Sequence, residues 1–333
     1  MALDHLIVIG ASAGGFDALV RMAADLPRAL PAAVCVVLHV SPESPGILAQ
    51  AVERAGALPA ETAVDGRRLE AQHIFIAPAD HHLIVEPGVL RITRGPKENG
   101  FRPAIDPLFR SAAQVYGPRV IGVVLTGFLD DGTAGLWAVK RLGGVAVVQD
   151  PADAVAPSMP RSALAHVEID YSVPLQELTR LLVRLTATAV QERRVHSGPL
   201  DIEVDIARAR NAREAGIERL GEPSAFACPE CHGVLRRITE GNYARFRCHT
   251  GHAYSVPSLV AAADHGTAEA LWNAIRALDE RGRMLLHLCT HASSDDRTAE
   301  LRHAAAQAFD DSEKLREIAE RRGAHGRTAD RDP

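Results

Sequence analysis

The chain has 333 residues, more than one ordinary hydrophobic core takes and enough for roughly two or three domains. Hydrophobic residues make up 47% of it and charged residues 24%, the composition of a soluble globular protein and not of a disordered or fibrous one. The net charge of −5 gives no overall attraction to phosphate backbones, so no nucleic-acid partner is expected. The first ten residues are a short apolar run without Lys or Arg, which indicates a first strand and not a signal peptide. No apolar run approaches the ~20 residues of a membrane span, so we expect a cytoplasmic protein without membrane insertion.

From residue 1 to about residue 190, short apolar runs alternate with amphipathic stretches. This pattern predicts an α/β fold: a mostly parallel sheet in a three-layer α/β/α arrangement. The predicted strands are Leu6–Gly10, Val34–Val40, Ile74–Ala77, Val120–Thr126 and Val145–Gln149. The predicted helices are Phe16–Asp25, Pro45–Ala55, Pro107–Tyr116, Thr133–Leu142 and Leu175–Val190. The stretch His82–Thr93 contains a Pro-Gly pair and is predicted to be a hairpin added to the sheet.

The composition changes after residue 190, so residues 1–190 are predicted to form the first domain. Residues 191–223 are polar and charged, and we interpret them as a linker that includes one helix over Val204–Leu220. Residues 224–256 hold three of the five cysteines and are predicted to form a zinc-ribbon-like module. Apolar residues at helical spacing then predict a helical tail over 264–325, broken near Ser293–Asp296, that packs on the ribbon or on another protein.

A glycine-rich turn follows the first predicted strand and carries Ser12 at its centre, between Gly10 and Gly14. A strand-to-helix turn of this kind lifts a serine hydroxyl clear of the backbone, as a nucleophile elbow requires. Such turns also bind phosphate, because free amides and the helix dipole attract an anion. Against phosphate binding, the turn lacks the Lys-Ser/Thr ending of a P-loop and the glycine spacing of a dinucleotide site. Ser12 is therefore a candidate nucleophile.

A serine nucleophile needs a base, and His39 ends the second predicted strand. The carboxyl ends of parallel strands share one edge of a sheet, so we expect His39 and Ser12 to lie close together. A carboxylate is then needed to hold the imidazole in one tautomer. Asp130 and Asp131 both follow a predicted strand, and either one also suits the cap of the helix that begins near Thr133. The residues themselves do not choose between the two aspartates.

Five motifs, in this order, resemble the catalytic domain of CheB-type protein-glutamate methylesterases across about residues 1–190. They are Gly-Ala-Ser-Ala-Gly-Gly at 10–15, Leu-His-Val at 38–40, Arg-Pro-Ala-Ile-Asp at 102–106, Leu-Thr-Gly at 125–127 with Asp-Gly at 131–132, and Met-Pro at 159–160. The resemblance implies that Ser12 is the nucleophile, His39 the base and Asp131 the residue that orients the base. It also implies hydrolysis of glutamate methyl esters, and in some members deamidation of glutamine, in a chemosensory pathway.

The resemblance implies a methylated chemoreceptor or another chemosensory signalling protein as the partner, and no cofactor for catalysis. Backbone amides near Ala13–Gly15 or at Phe128 are candidate oxyanion donors. Arg102 is expected either to bind an acidic group near the substrate or to pair with Asp106. Because Ser12 lies so near the N-terminus, no receiver domain is expected in front of the catalytic domain.

Two departures from the family pattern leave other functions open. Ala13 stands where the family commonly has Thr, and Phe128-Leu129 replaces a Met-Gly pair before the aspartate. One alternative is a hydrolase that uses the same triad on another ester. The other is a non-catalytic, zinc-containing signalling or binding module.

A cluster of cysteines and histidines predicts the metal site. Cys228 and Cys231 form a C-x2-C pair, and Cys248 follows after sixteen residues, with His249 and His252 close behind. Thiolates and imidazole at this spacing are typical ligands of tetrahedral structural zinc. The resemblance to stand-alone methylesterases, which carry a similar ribbon and helical tail, favours His252 over His249 as the fourth ligand. The alternative is a small core with reduced cysteines.

Overall fold

The computed structural model describes residues 3–188, 190, 198–292 and 294–329. The chain divides into two compact units, Met1–Leu259 and Val260–Pro333. The strands in chain order are β1 His5–Ala11, β2 Ala32–Leu38, β3 Ala60–Thr62, β4 His73–Ile76, β5 His82–Glu86, β6 Val89–Thr93, β7 Val120–Val124, β8 Val145–Gln149, β9 Tyr171–Val173, β10 Glu222–Ala227, β11 Val234–Glu240, β12 Tyr243–Cys248 and β13 Ala253–Ser255. The α-helices are α1 Gly15–Asp25, α2 Leu48–Ala55, α3 Ile105–Tyr116, α4 Thr133–Arg141, α5 Ser158–His166, α6 Leu175–Thr186, α7 Pro199–Ala207, α8 Ala212–Ala215, α9 Val256–Cys289 and α10 Asp295–Ala329. Within these ranges, no helix combines the length and the apolar character needed to cross a membrane.

The first unit is built on a seven-stranded sheet in the order β3-β4-β2-β1-β7-β8-β9, with every neighbouring pair parallel. Successive residues of the central strand β1 alternate between two cores, because strand side chains point to opposite faces. Leu6 and Val8 join the core that contains residues of α3, α4 and α5. Ile7 and Ile9 join the core that contains residues of α1, α2 and α6. The predicted three-layer α/β/α arrangement is therefore confirmed.

The hairpin of β5 and β6 forms a separate two-stranded sheet, so the prediction that it extends the main sheet was wrong. Its apolar side chains Leu83, Val85 and Leu90 pack into the same core as α3. The amide of Val85 also donates to the buried hydroxyl of Ser111 on α3, at 3.0 Å. Alternation of apolar residues predicts one buried face, but it does not specify whether a helix or another strand covers that face.

The predicted linker is partly folded, and its predicted helix Val204–Leu220 is wrong in both bounds. Helix α7 ends at Ala207, whose carbonyl accepts a hydrogen bond from Thr93 Oγ1 at 2.6 Å. A new short helix, α8, then begins because the side chain of Asn211 caps it by accepting from two backbone amides. Residues 191–197 of the predicted linker lie outside the described residues.

Strands β10 to β13 form an antiparallel sheet, which we call the ribbon, over residues 222–255. The predicted strand over Tyr243–Arg247 is present as β12. Inside the second unit, α10 packs on α9: Ser312 donates to Asp279 at 2.6 Å, and Arg316 lies 3.2 Å from the same carboxylate. The first helix of the predicted tail begins earlier than expected, at Val256. Ser293, where the break was predicted, lies outside the described residues.

Candidate active site

Ser12 lies in a tight turn between β1 and α1. Its amide donates to the carbonyl of Thr126 at 2.9 Å, which ties the turn to the loop after β7. Gly14 adopts a left-handed conformation with φ of 75°, which lets the chain enter α1 at once. A Cβ on Gly127 would lie 2.8 Å from Cβ of Ser12, so only glycine allows the two loops to approach this closely. The turn therefore has the strand-to-helix geometry of a nucleophile elbow.

His39 lies beside Ser12 at the same edge of the sheet. It follows β2, whose last residue, Leu38, pairs with the residue before Ser12, and its amide donates to Ala11 at 3.1 Å. The imidazole stacks on the ring of Phe101, with centroids 3.8 Å apart and planes 7° from parallel. The structure thus brings Ser12 and His39 together as predicted from the strand order.

Asp131 is the partner of His39. Its Oδ2 lies 2.7 Å from Nε2 of His39 and also accepts the amide of Ile105 at 2.7 Å. Its Oδ1 accepts from Nδ2 of Asn99 at 3.0 Å. Burial alone would raise the pKa of Asp131, but the hydrogen bonds from His39, Ile105 and Asn99 outweigh it and lower the pKa below its ordinary value. Asp131 is therefore a buried, ionised acceptor.

The contact with Asp131 determines which ring nitrogen of His39 carries the proton and which one is left as a base. An ionised carboxylate only accepts hydrogen bonds, so a neutral imidazole must carry its proton on Nε2 and its lone pair on Nδ1. Nδ1 is buried and has no hydrogen-bond partner among the described residues. Ser12 Oγ likewise makes no hydrogen bond to His39 in the part of the chain that the structure describes. Catalytic contacts are often long before substrate binds, so the arrangement is one of proximity with an available base.

Asp130, the neighbouring aspartate, faces a different set of partners. Its carboxylate accepts the hydroxyl of Tyr243 at 2.8 Å and that of Ser255 at 2.6 Å, both from the ribbon. Burial raises the pKa of Asp130, and the two hydroxyl donors oppose this effect. Neither aspartate caps α4, because Gly132 occupies the cap position without a side-chain hydrogen bond. The structure thus separates two aspartates that the sequence did not distinguish.

The backbone of the loop before these aspartates carries strain. Leu129 has φ of 60°, in the left-handed region that is costly for a residue with a side chain. Glycine, which the sequence resemblance expects at this place, adopts such a φ without that cost. The amide of Phe128 beside it, and those of Ala13 and Gly14, donate none of the hydrogen bonds found among the described residues. The amide of Gly15, also predicted as an oxyanion donor, is already bonded to the carbonyl of Ser12 at 2.8 Å.

Arg102 does not pair with Asp106, so that predicted contact was wrong. Its Nε and one terminal nitrogen bind a single oxygen of Asp80, at 2.9 and 2.7 Å, and the other terminal nitrogen donates to the carbonyl of Gly95. Asp106 is buried, and its Oδ1 accepts the amides of Gly132 and Gly135 at the start of α4. Burial and the negative charge of Asp131 raise the pKa of Asp106 well above its ordinary value. Spacing along the chain gave no information on the direction of these side chains.

The four predicted metal ligands lie together at one end of the ribbon. The sulfur atoms of Cys228, Cys231 and Cys248 and Nδ1 of His252 are all within 4.8 Å of one another. Individual separations are 3.5 Å between two of the sulfurs, and 3.5 and 3.7 Å from sulfur to nitrogen. Tetrahedral zinc with bonds of about 2.3 Å to sulfur and 2.0 Å to nitrogen would place its ligands about 3.5–3.8 Å apart. The donor set therefore fits zinc, while the ring of His249 packs against Gly233 instead.

Sequence reasoning missed several residues that build this site. Asn99 and Phe101 precede the Arg-Pro-Ala-Ile-Asp motif, and their nearness to a recognised motif was the available signal. Tyr243 and Ser255 lie in the ribbon and contact Asp130 in the loop that also carries Asp131. No spacing rule connects residues so far apart in the chain.

Comparison with known proteins finds relatives that share one activity name. A relative from Methanosarcina mazei, named protein-glutamate methylesterase/protein-glutamine glutaminase 2, is 35% identical over 192 residues, which are 55% of this chain and 52% of the relative. A Leptospira interrogans relative, which carries that activity name in provisional form, is 35% identical over 188 residues, 56% of this chain and 97% of the relative. The chain thus spans nearly all of one relative and about half of the other.

A solved structure and a family model match the same part of the chain. The CheB methylesterase catalytic domain of Thermotoga maritima is 32% identical, with a TM-score of 0.52, over 54% of this chain and 98% of that domain. The family model for CheB methylesterase matches residues 7–182, which contain Ser12, His39 and Asp131. The chain therefore belongs to the CheB methylesterase family.

Proposed function

We propose that this chain hydrolyses methyl esters of glutamate side chains on a chemoreceptor, with Ser12, His39 and Asp131 as its catalytic residues. The proposal rests on the 2.7 Å contact between His39 and Asp131 beside the turn that carries Ser12. Family membership and the activity in the relatives' names support it. Deamidation of glutamine at the same site is the second half of the proposal, because an amide carbonyl undergoes the same acyl transfer with ammonia as the leaving group.

The proton route follows from the tautomer of His39. Its Nδ1 takes the proton of Ser12 Oγ as that oxygen attacks the ester carbonyl and forms a tetrahedral adduct. Nδ1 then returns the proton to the departing methoxide, which leaves as methanol. Water attacks the acyl-enzyme by the same route and yields the glutamate carboxylate and free Ser12. Asp131 stays ionised and stabilises the imidazolium in both halves of the reaction.

The negative oxygen of the tetrahedral adduct needs hydrogen-bond donors. The amides of Ala13, Gly14 and Phe128 donate no hydrogen bond to any described residue, and they lie in the two loops beside Ser12. One well-placed donor contributes about 3 kcal/mol to lowering the barrier. We therefore assign the oxyanion hole to this group of amides.

We also propose that Cys228, Cys231, Cys248 and His252 hold a structural zinc ion. The ion would cross-link the loops of a small sheet that has little apolar core of its own. Four protein ligands would leave no open position on the ion, which is typical of structural and not of catalytic zinc. No step of the hydrolysis involves it.

Methanol release from a methylated chemoreceptor signalling fragment tests the function. We expect release by the wild type and background release by Ser12→Ala, while Ser41→Ala, which changes an exposed serine at the same edge of the sheet, behaves as the wild type. Labelling with a fluorophosphonate probe distinguishes the alternatives. Labelling of Ser12 without methanol release indicates the same triad acting on another ester, and a folded wild type that does not label indicates a non-catalytic module.

A further inference from the structure

Asn99 connects the catalytic aspartate to the ribbon. Its Nδ2 donates to Oδ1 of Asp131 at 3.0 Å, and its own Oδ1 accepts the amide of Ser255 at 2.9 Å and the hydroxyl of Ser258 at 2.8 Å. Asn99 is 7% exposed, and both serines are more deeply buried still. A single side chain thus uses its two ends to join the catalytic centre to residues more than 150 positions away.

A second connection runs through Asp130, next to the catalytic aspartate. Ser255 donates its hydroxyl to Oδ1 of Asp130 at 2.6 Å, and Tyr243 donates its own to Oδ2 at 2.8 Å. The loop that carries Asp131 is therefore held by two ribbon side chains on one side and by Asn99 on the other. Without the ribbon, Asn99 and Asp130 would each lose hydrogen-bond partners. A buried polar group without a partner costs free energy.

The turn around Asn99 also holds the base. Phe101, two residues further on, stacks on the imidazole of His39 at 3.8 Å between centroids. The turn is itself fixed to the ribbon, because the amide of Asn99 donates to the carbonyl of Ala253 at 2.8 Å. An ion pair between Glu98 and Arg247 of β12, at 2.9 Å and fully buried, fixes it further. One turn therefore contacts both His39 and Asp131, and the ribbon sets its position.

We propose that Asn99 is a positioning residue through which the end of the ribbon and the start of α9, residues 243–258, hold Asp131 and His39 in the geometry needed for hydrolysis. The proposal takes its triad from the proposed function. Cys248 ends β12 and His252 precedes β13, so the predicted metal site lies at the ends of the two strands that bear Tyr243 and Ser255. Folding of the ribbon, with its metal, is thereby a condition for an ordered active site.

The test weakens the connection without changing the triad: the backbone bond from residue 255 to Asn99 remains in the first of the two variants and is lost in the second. The variant Ser255→Ala/Ser258→Ala deletes the two hydroxyls, and Asn99→Gly deletes the amide while keeping the left-handed backbone, with φ of 53°, that residue 99 adopts. The matched control is Ser224→Ala, which removes a ribbon hydroxyl bonded at 2.7 Å to Leu235 and leading to no catalytic residue. The measurements are kcat and KM for methanol release, the rate of fluorophosphonate labelling of Ser12, and the downfield proton resonance of the His39–Asp131 hydrogen bond.

We expect kcat and the labelling rate to fall about ten- to hundredfold in both test variants, because small displacements of catalytic groups cost rates of this order. In both test variants, KM should stay within about twofold of the wild-type value and the downfield resonance should shift. The control Ser224→Ala should match the wild type in kcat, KM, labelling rate and resonance. Unchanged kcat and resonance in the double variant, or an equal loss in Ser224→Ala, overturns the proposal. If the double variant does not fold, Ser258→Ala is compared with Ser258→Thr, which keeps the hydroxyl and should restore the rate. A wild type that labels at Ser12 but releases no methanol refutes the proposed substrate alone, since labelling and the resonance still report on the connection.

Discussion

Nε2 of His39 lies 2.7 Å from Oδ2 of Asp131, and this contact decides which nitrogen of the imidazole is the base. The carboxylate also receives the amide of Ile105 and the side chain of Asn99, so it is held as an ionised acceptor inside the protein. The imidazole proton must then lie on the side of Asp131. The opposite nitrogen, Nδ1, remains free to accept the proton of a nucleophile.

Replacing Asp131 with asparagine should lower kcat for methanol release by about 10⁴-fold, as loss of the orienting carboxylate does in serine proteases. A carboxamide can present its NH₂ group to Nε2, which would move the imidazole proton to Nδ1 and remove the base. Steady-state kinetics on a methylated receptor fragment measures the effect, and unfolding by urea shows whether Asp131→Asn is folded. A loss smaller than tenfold would contradict the assignment of Asp131.

Asp106→Asn should have little effect, although Asp106 is as deeply buried as Asp131. Burial and the charge of Asp131 raise the pKa of Asp106 well above its ordinary value, which favours the neutral form of the group. Its Oδ1 accepts the amides of Gly132 and Gly135, and the asparagine oxygen can accept both. Its Oδ2 accepts Nδ2 of Asn99 in a long contact of 3.3 Å, which the asparagine would lose, so we expect a fall in kcat of less than about tenfold, or 1.4 kcal/mol. A loss as large as that of Asp131→Asn would show that Asp106 carries a charge the reaction needs.

The sequence predicted the part of the site that strand order determines. Ser12 and His39 each follow a buried strand, and the carboxyl ends of adjacent parallel strands share an edge, so their proximity was predictable. The ligand spacing of Cys228 and Cys248 likewise predicted which sulfur atoms meet. Both rules are local, because they depend on strand periodicity and short spacings.

The remaining contacts depend on side-chain directions between distant segments. Asp130 and Asp131 are neighbours of the same type, and only the fold shows that one faces the ribbon and the other His39. Pairing with Asp106 is one of the two contacts that the sequence predicts for Arg102, but Arg102 binds Asp80 on another loop. The sequence predicts the ribbon as a separate module because its composition differs, but composition does not indicate which surface a module packs against.

Glu203→Gln should lower the free energy of unfolding by about 3–5 kcal/mol, the usual cost of breaking a buried ion pair. Glu203 binds Arg245, and its Oε1 lies 2.9 Å from Arg247, with all three side chains at most 5% exposed. The substitution would leave two buried guanidinium groups without their shared carboxylate. Urea unfolding at pH 7 measures the change, and Glu70→Gln, in an exposed pair with Arg67, should leave the unfolding midpoint unchanged.

The same network makes stability depend on acid pH. Burial alone would raise the pKa of Glu203, but the charges of the surrounding arginines outweigh it and lower the pKa below its ordinary value. The pKa of Glu98, also between buried arginines, is lowered in the same way against the effect of burial. A carboxyl whose folded pKa is depressed stabilises the fold above its unfolded pKa of about 4.3, and this stabilisation is lost as pH falls toward the folded value. The wild type should therefore lose stability steeply below about pH 4. Glu203→Gln should lose less of its remaining stability over that interval, and an equal loss would contradict the role of Glu203.

His252→Ala should lose the proposed zinc ion, whereas His249→Ala should keep it. Nδ1 of His252 lies 3.5 Å from the sulfur of Cys248, within the spacing of a tetrahedral shell, while the exposed His249 packs against Gly233. The two variants replace the same residue type at positions three residues apart. A general effect of losing a histidine would therefore appear in both variants. Zinc released after thiol modification, measured with a metal-binding dye, should be about one ion per chain for the wild type and His249→Ala. Full zinc in His252→Ala would mean that the three cysteines bind the ion with a different fourth ligand. An absence of zinc in the wild type would instead mean that the cysteines are reduced core residues and that packing alone folds the ribbon.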